Sequence, residues 1–275
     1  MLEEEIKKYE GVVIYDVHSE MRNKILKFCY GNDIRAYSTT KVSDILIRGA
    51  ESLHIFDTPL LLYRNHGLSF EQRFVKRTMD IVVSALMLLI TSPIFLIASI
   101  AIKLYDGGPV FYRQARCTMN GKVFHIFKFR SMIVDAEKDG KSQPAADHDP
   151  RITPVGRVLR ATRLDELPQL IDILIGNMSL VGPRPERVEH VEKYTEDLAE
   201  FEYRLKVRGG LTGYAQIYGK YNTSPYAKLQ LDLIYIQNYS IFLDIKLILM
   251  TIKIMFMKES TEGFSEEQKK EYVDR

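Results

Sequence analysis

The sequence predicts a mixed α/β (α+β) domain that associates with a membrane, preceded by a small N-terminal α/β appendage. Strand-like and helix-like segments alternate at the start of the chain, one apolar run of membrane length contains a proline, and a C-terminal apolar stretch is interrupted by charges. These patterns predict the appendage at 1–66, a re-entrant membrane helix at about 72–103, and interfacial amphipathic helices within a main domain at 67–258.

Composition and charge exclude two classes of protein. The chain has 275 residues, and 38 Lys and Arg balance 36 Asp and Glu, so we expect no nucleic-acid partner. The two cysteines, Cys29 and Cys117, cannot build a disulfide framework, and the start of the chain at 1–5, which carries three glutamates, does not resemble a cleavable signal segment. A reducing, cytosol-facing environment is therefore expected.

The appendage is predicted from alternating strand and helix signals. Strands are expected at 11–17, 34–39 and 53–56, and helices at 19–30 and 41–48. No glycine-rich phosphate loop follows the first strand, because Asp16 and its neighbours stand where glycines are needed. We assign this part no chemistry and leave a dimer contact, a regulatory face and a folding aid open as its role.

The apolar run at 81–102 contains 22 residues and no charge. This length meets the threshold of about 20 residues for crossing a hydrocarbon core. Basic residues flank both ends, with Arg73 before the run and Lys103 after it, whereas a spanning helix concentrates them on one side. The flanks therefore favour a helix whose two ends lie on the same side of the membrane.

A proline lies at the centre of this run. Pro93 lacks a backbone N–H and breaks or kinks a helix at a cost of about 3 kcal/mol. The hydroxyls of Thr91 and Ser92 can satisfy the carbonyls that are freed. We predict that the helix enters the membrane, turns at Ser92 and Pro93, and leaves on the same face; the alternative is a transmembrane helix with a proline kink.

The segment after the run predicts a basic hairpin. Stretches at 110–114 and 123–129 alternate like strands and are joined through Asn120 and Gly121. Basic residues, Lys128 and Arg130 among them, are interleaved with aromatic residues and predict a surface that meets phosphates, lipid head groups or a base ring. The alternative is a solvated basic hairpin.

Three further segments complete the chain. Residues 136–150 read as a polar loop, and residues 259–275 read as a charged, frayed tail. The stretch at 229–257 mixes apolar residues with charges, so it cannot span a membrane. It either lies in the membrane interface or forms a buried amphipathic helix.

The strongest candidate for chemistry is the adjacent pair Asp165 and Glu166. The pair follows a series of arginines spaced by three residues, which includes Arg160 and Arg163. Cations beside a carboxylate lower its pKa, so that it stays ionised as a nucleophile or metal ligand. Neighbouring residues do not share a helix face, so the two carboxylates have separate roles or straddle a helix start. The alternative is a surface ion-pair cluster.

Two later motifs are suited to phosphate binding. Pro183 and Pro185 fix the backbone on either side of Arg184, which favours presentation of its guanidinium to a phosphate. Arg208 precedes a glycine pair that supplies a flexible loop. The chain lacks zinc-type histidine spacing, and one or two carboxylates plus substrate phosphates suit a hard cation such as Mg²⁺.

Taken in order, these motifs strongly resemble those of the bacterial sugar transferases, the monotopic polyprenyl-phosphate phosphoglycosyl transferases. The resemblance covers about residues 70–257 and rests on the basic residues before Ser92-Pro93 and on five motifs, GPVF at 108–111, FKFRSM at 127–132, LDELPQ at 164–169, GPRP at 182–185 and GYAQ at 213–216. It implies a re-entrant helix on the cytoplasmic leaflet of the inner membrane. Residues 1–66 then correspond to a shortened remnant of a nucleotide-fold-like domain found in larger relatives.

The resemblance implies transfer of a sugar-1-phosphate from a UDP-sugar, with a hexose favoured, to undecaprenyl phosphate, with release of UMP. Asp165 would be the nucleophile that forms a covalent phosphosugar intermediate, and Glu166 would hold Mg²⁺ with it or position it. The phosphate-binding candidates are Lys128, Arg130, Arg160, Arg163, Arg184 and Arg208. Substrate-binding or loop candidates are Pro183, Pro185, Gly213 and Gln216. Membrane lipids, a second copy of the chain and downstream glycosyltransferases are the further expected partners.

Two other functions remain open at this point. A membrane-bound, Mg²⁺-dependent phosphohydrolase could use the same carboxylates on a lipid diphosphate. A non-catalytic scaffold of polysaccharide assembly would use the basic and amphipathic elements only for docking. Both carboxylates of the pair are present, which argues against the scaffold.

Overall fold

The computed structural model describes residues 2–63, 67–136, 149–219 and 223–255. The chain divides into two compact units, Met1–Tyr63 and Arg64–Arg275, close to the boundary predicted after residue 66. The charged tail and the predicted loop, except for its two ends, lie outside the described residues.

The first unit is a small α/β arrangement. Its elements are α1 (Leu2–Ile6), β1 (Gly11–Ile14), α2 (Ser19–Gly31), β2 (Arg35–Ser38), α3 (Val42–Arg48), β3 (Glu51–Ile55) and β4 (Thr58–Leu62). β1 and β2 pair in parallel, with Gly11 opposite Arg35. The third predicted strand is present as β3, but it pairs with β4, which was not predicted. Phe56 adopts a φ of 52° in the tight turn between them, a conformation its residue type does not signal.

The second unit contains one long apolar helix and a mixed helix and strand domain. Its elements are α4 (Phe70–Asp106), β5 (Phe111–Cys117), β6 (Val123–Phe129), α5 (Pro154–Ala161), α6 (Gln169–Ile175), β7 (Ser179–Val181), α7 (Val188–Asp197), β8 (Gly210–Thr212), α8 (Tyr214–Tyr218), α9 (Pro225–Gln237) and α10 (Ile241–Met255). The predicted hairpin is confirmed as β5 and β6, which pair antiparallel. β7 and β8 form a short parallel pair.

Helix α4 (Phe70–Asp106) extends slightly beyond the predicted bounds of about 72–103, and both of its ends are capped. At its start, the Ser69 hydroxyl accepts a hydrogen bond from the backbone N–H of Gln72, whose side chain accepts one from the N–H of Ser69. At its end, Gly107 adopts the left-handed conformation with a φ of 71°. Among the described residues, α4 is the one helix long and apolar enough to cross a membrane.

Pro93 does not interrupt α4. The helix continues from Phe70 to Asp106, so the chain stays helical through the predicted turn at Ser92 and Pro93. The Ser92 hydroxyl donates to the carbonyl oxygen of Leu89 at 2.8 Å, and this is the carbonyl that Pro93 cannot reach. The Thr91 hydroxyl donates to the Met87 carbonyl at 2.7 Å. The expected role of the Ser92 hydroxyl is confirmed, and it lowers the cost of a proline inside the helix.

Both ends of α4 are attached to the same unit. Near its start, the Arg77 guanidinium donates to the carbonyl oxygens of Ile173 and Leu174 at the end of α6. Near its end, Ala98 and Ile102 pack in an apolar cluster with Phe129 and Leu159, and Asp106 pairs with Arg130. Between these attachments the apolar side chains are exposed, including Leu89, Ile90, Leu96 and Ile97.

The C-terminal stretch forms two helices instead of one continuous pattern. α9 buries Leu229, Leu233 and Ile236 in the domain core. α10 exposes Phe242 and Leu249. The alternative of a buried helix is therefore confirmed for α9, whereas α10 leaves an apolar face exposed.

Candidate active site

Asp165 and Glu166 lie on a 3₁₀ turn, Leu164–Glu166, between α5 and α6. The turn begins after Arg163, which adopts the left-handed conformation with a φ of 55°. Leu164 and Leu167 flank the two carboxylates and pack on the apolar cluster that holds the end of α4. The pair therefore lies just before the start of α6, and its position is fixed by the end of α4 as well as by the domain core.

Glu166 is held by two cations on one oxygen. Lys128 Nζ on β6 and Arg184 Nη2 lie 2.7 Å and 2.8 Å from Glu166 Oε1. Burial opposes ionisation of this carboxyl, but the charges of Arg184 and Lys128 outweigh it and hold the pKa of Glu166 well below its usual range. The expected lowering of a carboxyl pKa by cations is confirmed for Glu166, but the cations are Arg184 and Lys128 and not the arginines that precede the pair.

Asp165 has a different environment. Its half-buried carboxylate accepts no hydrogen bond from any residue that the structure describes. Burial and the charge of Glu166 raise the pKa of Asp165, and Lys128, Arg160 and Arg184 offset this only in part. The expectation of a lowered pKa is wrong for Asp165, because burial and the neighbouring charge of Glu166 outweigh the three cations. Both oxygens of Asp165 keep their lone pairs for a reacting group.

The segment Gly182 to Glu186 presents Arg184 to this pair. Four consecutive carbonyl oxygens each accept one hydrogen bond, those of Pro183, Arg184, Pro185 and Glu186 from Gly210 N (2.9 Å), Arg204 Nη2 (2.9 Å), Arg116 Nη1 (3.0 Å) and Cys117 N (3.0 Å). Gly182 is required here because a Cβ atom on it would lie 2.4 Å from the carbonyl oxygen of Arg208. The Arg184 side chain stays 41% exposed, so it is not sealed inside the domain core.

The structure brings together only some of the predicted phosphate-binding residues. Lys128, Arg160 and Arg184 act on the carboxylate pair. Arg130 is buried and pairs with Asp106, so it fastens the end of α4. Arg208 lies among Arg73, Arg77 and Asp80 beside the first half of α4. Arg163 supplies the backbone turn before Asp165. Arg130 and Arg208 are therefore not brought to the pair.

The remaining loop candidates are Gly213, which packs against the segment 182–186, and Gln216. A Cβ atom on Gly213 would lie 2.1 Å from the carbonyl oxygen of Gly182, and one on Gly209 would lie 2.5 Å from Pro185. Gln216 lies on α8, and its buried Nε2 donates to no residue in the described part of the chain. An unsatisfied buried donor costs about 1–3 kcal/mol, so this amide remains a candidate contact for a ligand.

Two buried charge clusters were not predicted. One joins Arg204 to Asp232, and the other joins Lys76 to Asp244 and the Tyr235 hydroxyl. A signal for both exists in the sequence, because Asp232 and Asp244 stand alone among apolar residues of a helix and require a buried partner. The sequence does not show which cation supplies it.

The carboxylate pair suits a hard metal ion. In the described ranges, no group of three or more His, Cys, Asp and Glu side chains is placed to hold a metal ion. Within the same ranges, no hydrogen bond reaches Glu166 Oε2 or the carboxylate of Asp165. Mg²⁺ is commonly held by one or two carboxylates together with substrate phosphates, and these free oxygens fit that donor set.

Comparison with known proteins agrees with the family resemblance of the sequence motifs. The family model described as Bacterial sugar transferase matches residues 71–258. A Klebsiella pneumoniae protein named UDP-glucose:undecaprenyl-phosphate glucose-1-phosphate transferase is 38% identical over 256 residues, which are 91% of this chain and 53% of that protein. An Escherichia coli K12 protein of the same name is 42% identical over 211 residues, covering 75% of this chain and 44% of that protein.

A third relative is named for another sugar. An Aeromonas hydrophila protein named UDP-N-acetylgalactosamine-undecaprenyl-phosphate N-acetylgalactosaminephosphotransferase is 39% identical over 183 residues, covering 66% of this chain and 43% of that protein. The chain spans about half the length of these three relatives.

Proposed function

Because the chain belongs to the bacterial sugar transferase family, we propose that it transfers a sugar-1-phosphate from a UDP-sugar to undecaprenyl phosphate and releases UMP. The observation that carries this proposal is the unequal pair of carboxylates. Glu166 is ionised beside two cations, whereas Asp165 keeps free oxygens and a raised pKa. A raised pKa makes the carboxylate a stronger nucleophile once it is deprotonated.

The proposed reaction has two displacements. An Asp165 oxygen attacks the phosphorus that carries the sugar, the bond to the bridging oxygen of the diphosphate breaks, and UMP leaves with both electrons of that bond. An oxygen of undecaprenyl phosphate then attacks the same phosphorus, which breaks the bond to Asp165 and gives undecaprenyl-diphosphate-sugar. This order lets a water-soluble donor and a lipid acceptor use one site in turn.

The surrounding residues stabilise the charge that develops on the phosphoryl oxygens. Arg184 and Lys128 lie at Glu166, and the charge of Arg160 acts on Asp165. Asp165 and Glu166 would hold Mg²⁺, which supplies further neutralisation of the diphosphate when it is bound. We assign the donor as a UDP-hexose, in line with the glucose named for two of the relatives.

The attachment of α4 supports a re-entrant helix on the cytoplasmic face. A helix that spans the membrane separates its ends by about 30 Å of hydrocarbon. Here Arg77 near the start and Asp106 at the end are both bonded to the same unit. The exposed apolar middle of α4 and the apolar face of α10 would then insert into one leaflet. The product would serve downstream glycosyltransferases as the first lipid-linked intermediate of a surface glycan.

Cysteine labelling tests this topology. Phe70 and Leu104 are 72% and 81% exposed and lie before and after the apolar run, whereas the native Cys29 and Cys117 are buried. In sealed inverted membrane vesicles, Phe70→Cys and Leu104→Cys should both react with a membrane-impermeant maleimide. The unmodified chain gives the background. Labelling of only one of the two positions would establish a spanning helix.

Intact-protein mass spectrometry tests the proposed reaction. The protein is incubated with Mg²⁺ and a panel of UDP-sugars without the lipid acceptor. We expect a mass gain of one sugar phosphate with one donor, UMP in solution, and loss of both when EDTA is added. Inorganic phosphate released from a lipid diphosphate without any UDP-sugar would instead identify a phosphohydrolase. No adduct and no turnover with acceptor present would identify a scaffold.

A further inference from the structure

Arg204 contacts the backbone of Arg184 from inside the protein. Arg204 lies in the 3₁₀ segment Ala199–Lys206, which packs against the segment 182–186 (the Arg184 segment). Its side chain is 1% exposed. Its Nη2 donates to the carbonyl oxygen of Arg184 at 2.9 Å. A fully buried guanidinium that bonds to the residue contacting Glu166 has a direct route by which to influence the site.

The orientation of this guanidinium is set by Asp232 on α9. Nε and Nη2 of Arg204 both lie 2.8 Å from Asp232 Oδ2. One edge of the planar group is therefore fixed, and the remaining N–H of Nη2 points at the Arg184 carbonyl. A lysine carries the same charge but has no rigid fork, so it cannot hold Asp232 Oδ2 and the Arg184 carbonyl oxygen in this arrangement at the same time.

The charges around Arg204 balance. Glu186 lies 3.9 Å from Arg204 and 2.7 Å from Lys228, so the cluster has two cations and two carboxylates. A balanced cluster tolerates burial better than a lone charge does. The cluster also joins three parts of the fold. Glu186 ends the Arg184 segment, Arg204 lies in the 3₁₀ segment Ala199–Lys206, and Lys228 and Asp232 lie on α9.

We propose that Arg204, oriented by Asp232, is a positioning residue that holds the Arg184 backbone so that its guanidinium reaches Glu166 and the substrate diphosphate. The part of this inference that concerns the diphosphate rests on the proposed function. The part that concerns the Arg184 segment depends only on the contacts described above. Arg204 touches no reacting atom and acts through Arg184.

Hydrogen exchange tests the positioning without any substrate. The amides of Cys117 and Gly210 donate to the Glu186 and Pro183 carbonyls, so they report release of the segment. In Arg204→Lys, peptides containing these two amides should exchange faster. Arg204→Met with Asp232→Leu should also speed exchange of these amides. Because it removes both charges together, it leaves no unpaired buried charge that could unfold the protein. Lys76→Met with Asp244→Leu is the matched control at the other buried pair and should leave these amides protected.

Kinetics in two backgrounds test whether the effect passes through Arg184. We expect the Arg204 variants to lower kcat for UMP release by about 10- to 100-fold, as for a misplaced catalytic group. In an Arg184→Ala background, the same changes should alter kcat by less than about twofold. The control pair should have the same effect in both backgrounds.

The outcomes separate this inference from the proposed function. Unchanged exchange in the Arg204 variants, or an equal loss of kcat with and without Arg184, would overturn the positioning role. If the wild-type chain releases no UMP from any UDP-sugar, the proposed function fails. Exchange at Cys117 and Gly210 then decides the positioning role alone.

Discussion

Asp165→Asn is expected to abolish the covalent adduct and turnover, and also to raise the melting temperature of the protein. The adduct is lost because an amide oxygen is not a nucleophile toward phosphorus at a useful rate. The fold is stabilised because Asp165 is held by no hydrogen bond in the described part of the chain, while burial and Glu166 raise its pKa. At neutral pH the folded protein carries an unfavourable charge that the variant removes.

The stabilisation expected for Asp165→Asn depends on pH. Asp165 has a higher pKa in the folded than in the unfolded chain, so the folded state binds more protons between the two values. Stability therefore falls as pH rises through this window and stays lower above it. The difference in melting temperature between Asp165→Asn and wild type should be largest near neutral pH and should shrink toward about pH 4. A variant that forms the adduct, or that melts lower than wild type at neutral pH, would contradict the prediction.

Arg184→Ala is expected to lower kcat by about 10²- to 10³-fold, the usual loss for a group that stabilises transition-state charge. It should also shift the acidic limb of the profile of kcat against pH to higher pH. Burial raises the pKa of Glu166, and Arg184 and Lys128 together hold it down. With one of these cations removed, the pKa rises and Glu166 becomes protonated at a higher pH. Measurement of kcat against pH checks both effects.

Arg157→Ala is the matched control for this experiment. Arg157 is exposed on α5 and lies one helical turn before Arg160, so it is close in sequence but outside the carboxylate site. Its removal should leave kcat and the acidic limb unchanged. Equal losses in both variants would mean that general positive charge near α5, and not the contact of Arg184 with Glu166, supports the reaction.

The local elements could be predicted because their signals are short in range. Alternation and the Asn120-Gly121 turn predict the β5 and β6 hairpin, which the structure confirms. The same reasoning missed β4, since Phe56 has a positive φ that its side chain does not signal. It also treated α9 and α10 as one pattern, because only the packing shows that α9 is buried and α10 is not.

By itself, the sequence determined the order of the motifs, the pairing of Asp165 with Glu166, the rigid segment around Arg184 and the apolar helix with both flanks basic. Only the tertiary structure decided which cations serve the site. Arg130 pairs with Asp106, 24 residues earlier, and Arg204 pairs with Asp232, 28 residues later. A guanidinium bonds to whichever carboxylate the fold brings within about 3 Å, and that distance is set by packing between elements that lie far apart in the chain.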